Sequence, residues 1–237
     1  IVPEWKYLDD GLCRELVDYA KDGGSLLLIG PDSAALFKEH LGVTFKDDSP
    51  ATANWLEHNG ILTWISSSMR PIKLKEDVEA VGRIFPENDL KKPSEIAATV
   101  RSFGKGKIAA VYVNLGERYV KNKNIVTRDF VNDLVRRIFN PLVDVKGSHD
   151  VDVIVNKQGE KLAINLVNTA GPHADMSIET FDEIPPIGPL ELTIRSEKRP
   201  RNITLEPSHV RLKFEYKNGI AKVVIPRVEI HDIVVLD

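Results

Sequence analysis

DGGSLLLIGPDSAA, residues 22–35, decides how the first half of the chain is read. Ser25-Leu26-Leu27-Leu28-Ile29 is an unbroken apolar run, as in a strand covered on both faces. Gly23-Gly24 suits the end of a preceding helix, where a left-handed residue is often needed. Pro31-Asp32-Ser33 suits the start of the next one, with Asp32 or Ser33 as N-cap. Helix, glycine turn, buried strand, loop, helix is the order of a parallel α/β sheet. In such a sheet, ligands and nucleophiles occupy the loop after the strand. The elbow at residues 30–33 is therefore the first place to look for chemistry.

Working outward, Asp9 or Asp10 caps a predicted helix over 11–21, with Leu12, Leu16, Val17 and Ala20 on one face. A second helix is predicted from Ser33 to about His40. Residues 53–57 and 61–65 are strand candidates around Asn59-Gly60, a favoured hairpin turn. Residues 72–75 alternate like an edge or half-exposed strand, and 78–84 form a further candidate. Residues 97–103 and 107–113 flank Gly104-Lys105-Gly106 as a hairpin. Thr127 is read as the cap of a helix over 128–139, which Asn140-Pro141 stops. After Gly147 the pattern is wholly β, with strands about ten residues apart and no helical period. That texture predicts an antiparallel sandwich. The predicted domains are 1–142 and 148–237.

Bulk properties exclude several classes. A net charge of -3 and 42% hydrophobic residues suit a globular chain, with no reason to expect a nucleic-acid or anionic-membrane partner. No apolar run approaches the ~20 residues of a membrane span. The single cysteine, Cys13, rules out an intrachain disulfide and a cysteine-built metal site. The chain opens Ile1-Val2-Pro3-Glu4-Trp5, like the end of a strand running into a loop. We expect residues upstream of it.

The elbow has no Gly-x-Ser-x-Gly and no cysteine counterpart. Ser33 is read as a helix cap rather than a nucleophile, and Cys13 as structural. Glycosidases pair two carboxylates across a cleft. Glu4 beside the aromatic Trp5 is one candidate, but no partner carboxylate is marked out. His40, His58, His149, His173, His209 and His231 form no zinc-ligand spacing, and His231 reads as a hydrogen-bonded structural residue. Gly104-Lys105-Gly106-Lys107 lacks the spacing of a phosphate loop. No catalytic residue, metal ligand or cofactor is assigned. Glu4, Trp5, Asp32 and Ser33 remain the candidate binding residues. Trp5, Tyr7, Trp55 and Trp64 are candidate sugar-stacking or interface surface.

Residues 2–5 (VPEW), 19–30 (YAKDGGSLLLIG) and 103–109 (FGKGKIA) resemble the class I glutamine-amidotransferase-like domain that follows the catalytic barrel in some glycoside hydrolases, notably family 42 β-galactosidases. Residues 161–168 (KLAINLVN), 184–190 (IPPIGPL) and 225–235 (IPRVEIHDIVV) resemble the C-terminal β-sandwich of multidomain glycosidases. The resemblance implies an α/β domain followed by an all-β one: a flavodoxin-like parallel sheet with flanking helices, then a small antiparallel sandwich. It implies a non-catalytic region of a bacterial, periplasmic or secreted glycosidase. Its partners would be an N-terminal catalytic barrel of the same polypeptide, further copies of the chain, or carbohydrate. Two rival expectations are a carbohydrate-binding module and an independent hydrolase with its site around Glu4 and Ser33. The second domain is poor in aromatics, with only Phe181, Phe214 and Tyr216.

Overall fold

In a computed structural model of the protein, residues 1–46, 51–75, 77–171 and 183–237 are described. The chain divides into two compact units, Ile1–Asn140 and Pro141–Asp237. The first runs α1 (Asp10–Lys21), β1 (Ser25–Ile29), α2 (Pro31–Leu36), β2 (Val43–Phe45), β3 (Ala51–His58), β4 (Ile61–Met69), β5 (Ile72–Leu74), β6 (Glu79–Phe85), β7 (Glu95–Phe103), β8 (Gly106–Val111), α3 (Leu115–Asn122) and α4 (Ile125–Ile138).

β1 is the strand that the apolar run predicts. Leu26 and Leu28 point into one cluster with Val17 and Ala20 of α1, Ala34 of α2 and Phe37 just after it. Leu27 points into another, with Phe130 and Leu134 of α4. Both faces are thus covered, which is why no polar residue interrupts the run. Asp9 caps α1 by accepting the Leu12 N–H at 3.0 Å.

The parallel sheet expected around β1 is not what the chain builds. The main sheet has the order β1-β8-β7-β6-β3-β4, and only β1 and β8 run parallel. One further parallel bridge joins Val2 to Leu28. The cause lies in the connections. Parallel neighbours need a long crossover, usually a helix, whereas short turns force antiparallel pairing. Among the described residues, no helix lies between Val43 and Val111. Asn59-Gly60, both at positive φ, turn β3 into β4, and Gly104-Lys105 turn β7 into β8.

Glycines at the second hairpin have a packing role. A Cβ at Gly104 would overlap the backbone of Lys21, and one at Gly106 the carbonyls of Ala20 and Gly24. The Lys105 N–H donates to the Lys21 carbonyl at 2.8 Å. The tip of this hairpin therefore lies against the α1–β1 turn, backbone on backbone.

Two predicted caps are misplaced. Thr127 sits buried inside the first turn of α4, and Asn124 is the cap, accepting the Val126 and Thr127 N–H groups at 2.9 and 3.4 Å. Neither Asp32 nor Ser33 caps α2, which starts at Pro31 after Gly30. The second predicted helix breaks at Phe37 into a single 3-10 turn over Lys38–His40.

The second unit runs β9 (Val143–Lys146), β10 (Val151–Gln158), β11 (Lys161–Asn168), β12 (Leu190–Arg195), β13 (Ile203–Glu206), β14 (Val210–Arg211), β15 (Phe214–Lys217), β16 (Ile220–Ile225) and β17 (His231–Leu236). These form two antiparallel sheets, β10-β11-β17-β13-β14 and β15-β16-β12-β9. Ile164, Leu166, Ile203 and Val234 from the first share one core with Leu192, Ile194, Val223 and Ile225 from the second. Alternation drives this: β16 reads Ile-Ala-Lys-Val-Val-Ile, with Ala221, Val223 and Ile225 inward.

Phe130 is fully buried, and its ring fills the space left by Gly82 while meeting His58 edge-on. Phe130→Ala is expected to lower the unfolding free energy of the first unit by about 3–5 kcal/mol. Urea denaturation followed by circular dichroism reads this as a lower midpoint with an unchanged slope.

Candidate functional site

The four candidate residues do come together, at the N-terminus of α2. The segment Val2–Trp5 runs beside β1, with the Val2 N–H donating to Leu27 and the Ile29 N–H donating to Val2, both at 2.8 Å. This lays Glu4 across the elbow. Its carboxylate accepts the Asp32 N–H at 3.1 and 3.2 Å and the Ser33 N–H at 3.2 Å. The cap of α2 is thus a carboxylate from 28 residues away in sequence. A negative group is favourable there, because the first N–H groups of a helix have no partner within it.

Ser33 is fully buried. Its hydroxyl donates to the Pro3 carbonyl at 2.6 Å and accepts the Trp5 N–H at 2.7 Å. A serine so engaged has no lone pair directed at solvent and no base to activate it. Gly30 makes the closure feasible. Its φ is 125°, and a Cβ there would overlap the Glu4 carboxylate. Asp32 turns its own carboxylate outward to Arg70, whose guanidinium lies 3.0 Å away. Arg70 is the site residue that sequence reasoning missed. It follows the end of β4, and its backbone N–H donates to Tyr112 at 3.0 Å. No local pattern in the sequence links it to the elbow.

Burial holds the Glu4 carboxyl above its ordinary value of 4.5, against the lowering effect of the two backbone donors. Burial likewise raises the Cys13 thiol, with the nearby Asp10 and Asp9 carboxylates adding to it, so Cys13 is no activated nucleophile. Trp5 and Tyr7 are 54% and 78% exposed. Trp55 and Trp64 face each other across β3 and β4, and the Arg118 guanidinium stacks 4.4 Å from the Trp64 ring.

The histidines remain dispersed, and no group able to hold a metal ion occurs among the described residues. His231 accepts or donates to Asn165 at 3.1 Å, as expected of a hydrogen-bonded residue, but on an exposed surface. His58 contacts Asn59 and Phe130, and His209 pairs with Glu206. His173 and Phe181 lie outside the described residues. Phe214 and Tyr216 pack against the core of the second unit. No described helix is long and apolar enough to cross a membrane.

No family model matches the chain, and no curated protein matches it. Solved structures do. α-L-Fucosidase isoenzyme 2 from Paenibacillus thiaminolyticus is similar over 100% of this chain and 40% of its own, with a TM-score of 0.81 and 15% identity. Gan42B, a GH42 β-galactosidase from G. stearothermophilus, is similar over 96% of this chain and 30% of its own, with a TM-score of 0.53 and 14% identity. The fold is one found within glycoside hydrolase chains. The chain spans well under half the length of either, and at these identities the likeness is one of fold.

The clasp makes two stability predictions. Ser33→Ala leaves a buried amide and carbonyl without their partner and is expected to cost about 1–3 kcal/mol in urea denaturation. Glu4 gives a signature in pH. Its folded carboxyl binds a proton more tightly than the unfolded one, so its contribution is fully present below the ordinary value of 4.5 and is lost as pH rises through the higher folded value. The stability of the wild-type chain relative to Glu4→Gln should therefore fall across that window and level off above it.

Proposed function

We propose that this chain is a non-catalytic region of a glycoside hydrolase. Its work is structural: it supports a catalytic barrel that precedes it in the same polypeptide, and it offers surface for contacts between copies. The observation that carries this reading is the closed elbow. At the strand end where an α/β enzyme presents its nucleophile, Glu4 is spent on two backbone amides and Ser33 on the Pro3–Trp5 backbone. The partial coverage of glycosidase chains supports the same reading.

Within it, the first unit is an amidotransferase-like domain without the amidotransferase chemistry. Gly30 at positive φ keeps the sharp strand-to-helix turn, and no cysteine follows it. Exposed Trp5 and Tyr7, beside the clasp, are apt to cover or be covered by the barrel. A bacterial, exported setting belongs to the same reading. A carbohydrate-binding module built on the second unit's aromatics is disfavoured by their placement. Phe214 and Tyr216, half-buried, pack against the core, and the Tyr216 hydroxyl donates to the Ser196 carbonyl at 3.0 Å.

An activity assay separates this reading from an independent hydrolase. The purified chain is expected to release no nitrophenol from aryl glycosides above the buffer rate, and Glu4→Ala is expected to leave that blank unchanged. Turnover at an ordinary enzymatic rate, about 1–1,000 per second, that disappears in Glu4→Ala would overturn the proposal.

A further inference from the structure

One end of the sandwich opens into a groove of about 850 Å³. That lies within the range of about 300–1,000 Å³ typical of ligand sites. Lys157 and Lys161 enter it from the β10–β11 hairpin. Arg195, Lys198, Arg199 and Arg201 enter from the end of β12 and the loop after it. The same lining carries three acids, Glu160, Glu197 and Asp237. Even so, Lys157, Lys161, Lys198 and Arg201 form no ion pair among the described residues. The lining thus sets six cations against three acids, a local excess of positive charge.

The loop that carries it is fixed. The Ser196 N–H donates to the Gly219 carbonyl at 2.9 Å, and the Ser196 hydroxyl donates to the Lys198 carbonyl at 2.6 Å. The Tyr216 hydroxyl reaches the carbonyls of Ser196 and Glu197 at 3.0 and 3.2 Å. The Arg199 guanidinium lies over the Phe214 ring, Pro200 is buried, and the Arg201 N–H donates to the Asp237 carbonyl at 2.7 Å. Holding cations on an ordered backbone removes part of the entropic cost of binding an anion. None of the lining residues is aromatic. Neither nucleic-acid bases nor neutral sugar rings find a stacking platform here, so recognition must come through charge. Cations on two separate elements suit a ligand with more than one anionic group.

We propose that this groove binds an acidic polysaccharide, a sugar chain bearing carboxylate or sulfate groups. The saccharide part of the inference rests on the glycosidase reading above; the anionic part rests on the groove alone. The net charge of the whole chain is -3, which disfavours indiscriminate binding of dense polyanions such as DNA.

The test is calorimetric titration of the full chain with polygalacturonate and dextran sulfate oligosaccharides. Neutral dextran and an oligonucleotide of matched charge are the comparators. Binding of at least one acidic saccharide is expected, weakening in high salt, with none to neutral dextran. The double variants K157E/K161E and K198E/R201E change exposed side chains, and each should weaken binding by about tenfold or more. K213E, an exposed charge outside the groove, should leave it unchanged. The proposal is overturned if no acidic saccharide binds, if both double variants bind like wild type, or if the oligonucleotide binds as tightly as the saccharides. Binding is read here without hydrolysis. An empty groove thus leaves the accessory reading standing, and hydrolysis by the isolated chain overturns that reading without touching the groove.

Discussion

Glu4 gives up part of its hydration to lie against the amides of Asp32 and Ser33. Burial penalises the charge, and the two donors offset that only in part, which is why the carboxyl is held high. The contact persists because everything around it converges on the same place. The Val2 bridge to β1 fixes the approach of the segment, Ser33 ties its backbone on both sides of Glu4, and Gly30 removes the one Cβ that would block it. Each hydrogen bond is worth about 1 kcal/mol net. Leaving its partner unmet costs more than that, so the clasp behaves as a unit. The elbow therefore serves as an anchor for the entering chain, held through Glu4 and Ser33.

Much of the architecture was legible because it rests on local chemistry. The run Ser25–Ile29 gave β1 and its burial on both faces, Asn59-Gly60 gave the first hairpin, and strands about ten residues apart with no helical period gave the sandwich. The parallel sheet went too far for a definable reason. A helix–strand–helix opening is shared by fully parallel and mixed sheets, and only the later connections distinguish them. Those connections, short turns at 59–60 and 104–105, were themselves visible and already implied antiparallel neighbours.

Glu4, Trp5, Asp32 and Ser33 meet at one elbow, but the wiring between them was illegible in the sequence. Asp32 and Ser33 look like caps because their side chains favour that position locally. The donors they expose are instead met from Glu4, through a contact that no sequence window contains. Thr127 failed in the same way, displaced by Asn124 three residues earlier. Arg70 had no signal at all, since its role depends on where β4 ends relative to α2.

The glycine motifs carry the same lesson in reverse. Gly104-Lys105-Gly106-Lys107 invites a phosphate-loop interpretation when taken apart from Gly23-Gly24. Together they are two backbones in contact, because Gly104 and Gly106 sit where any side chain would strike the α1–β1 turn. The first unit thus uses its glycines for packing and its elbow for anchorage. In the second unit, Phe214 and Tyr216 serve packing and hold the loop after β12. The cations of that loop and of the β10–β11 hairpin are what this unit presents at its groove. Binding at the proposed groove is then expected to be electrostatic, sensitive to salt and selective for charge rather than ring shape.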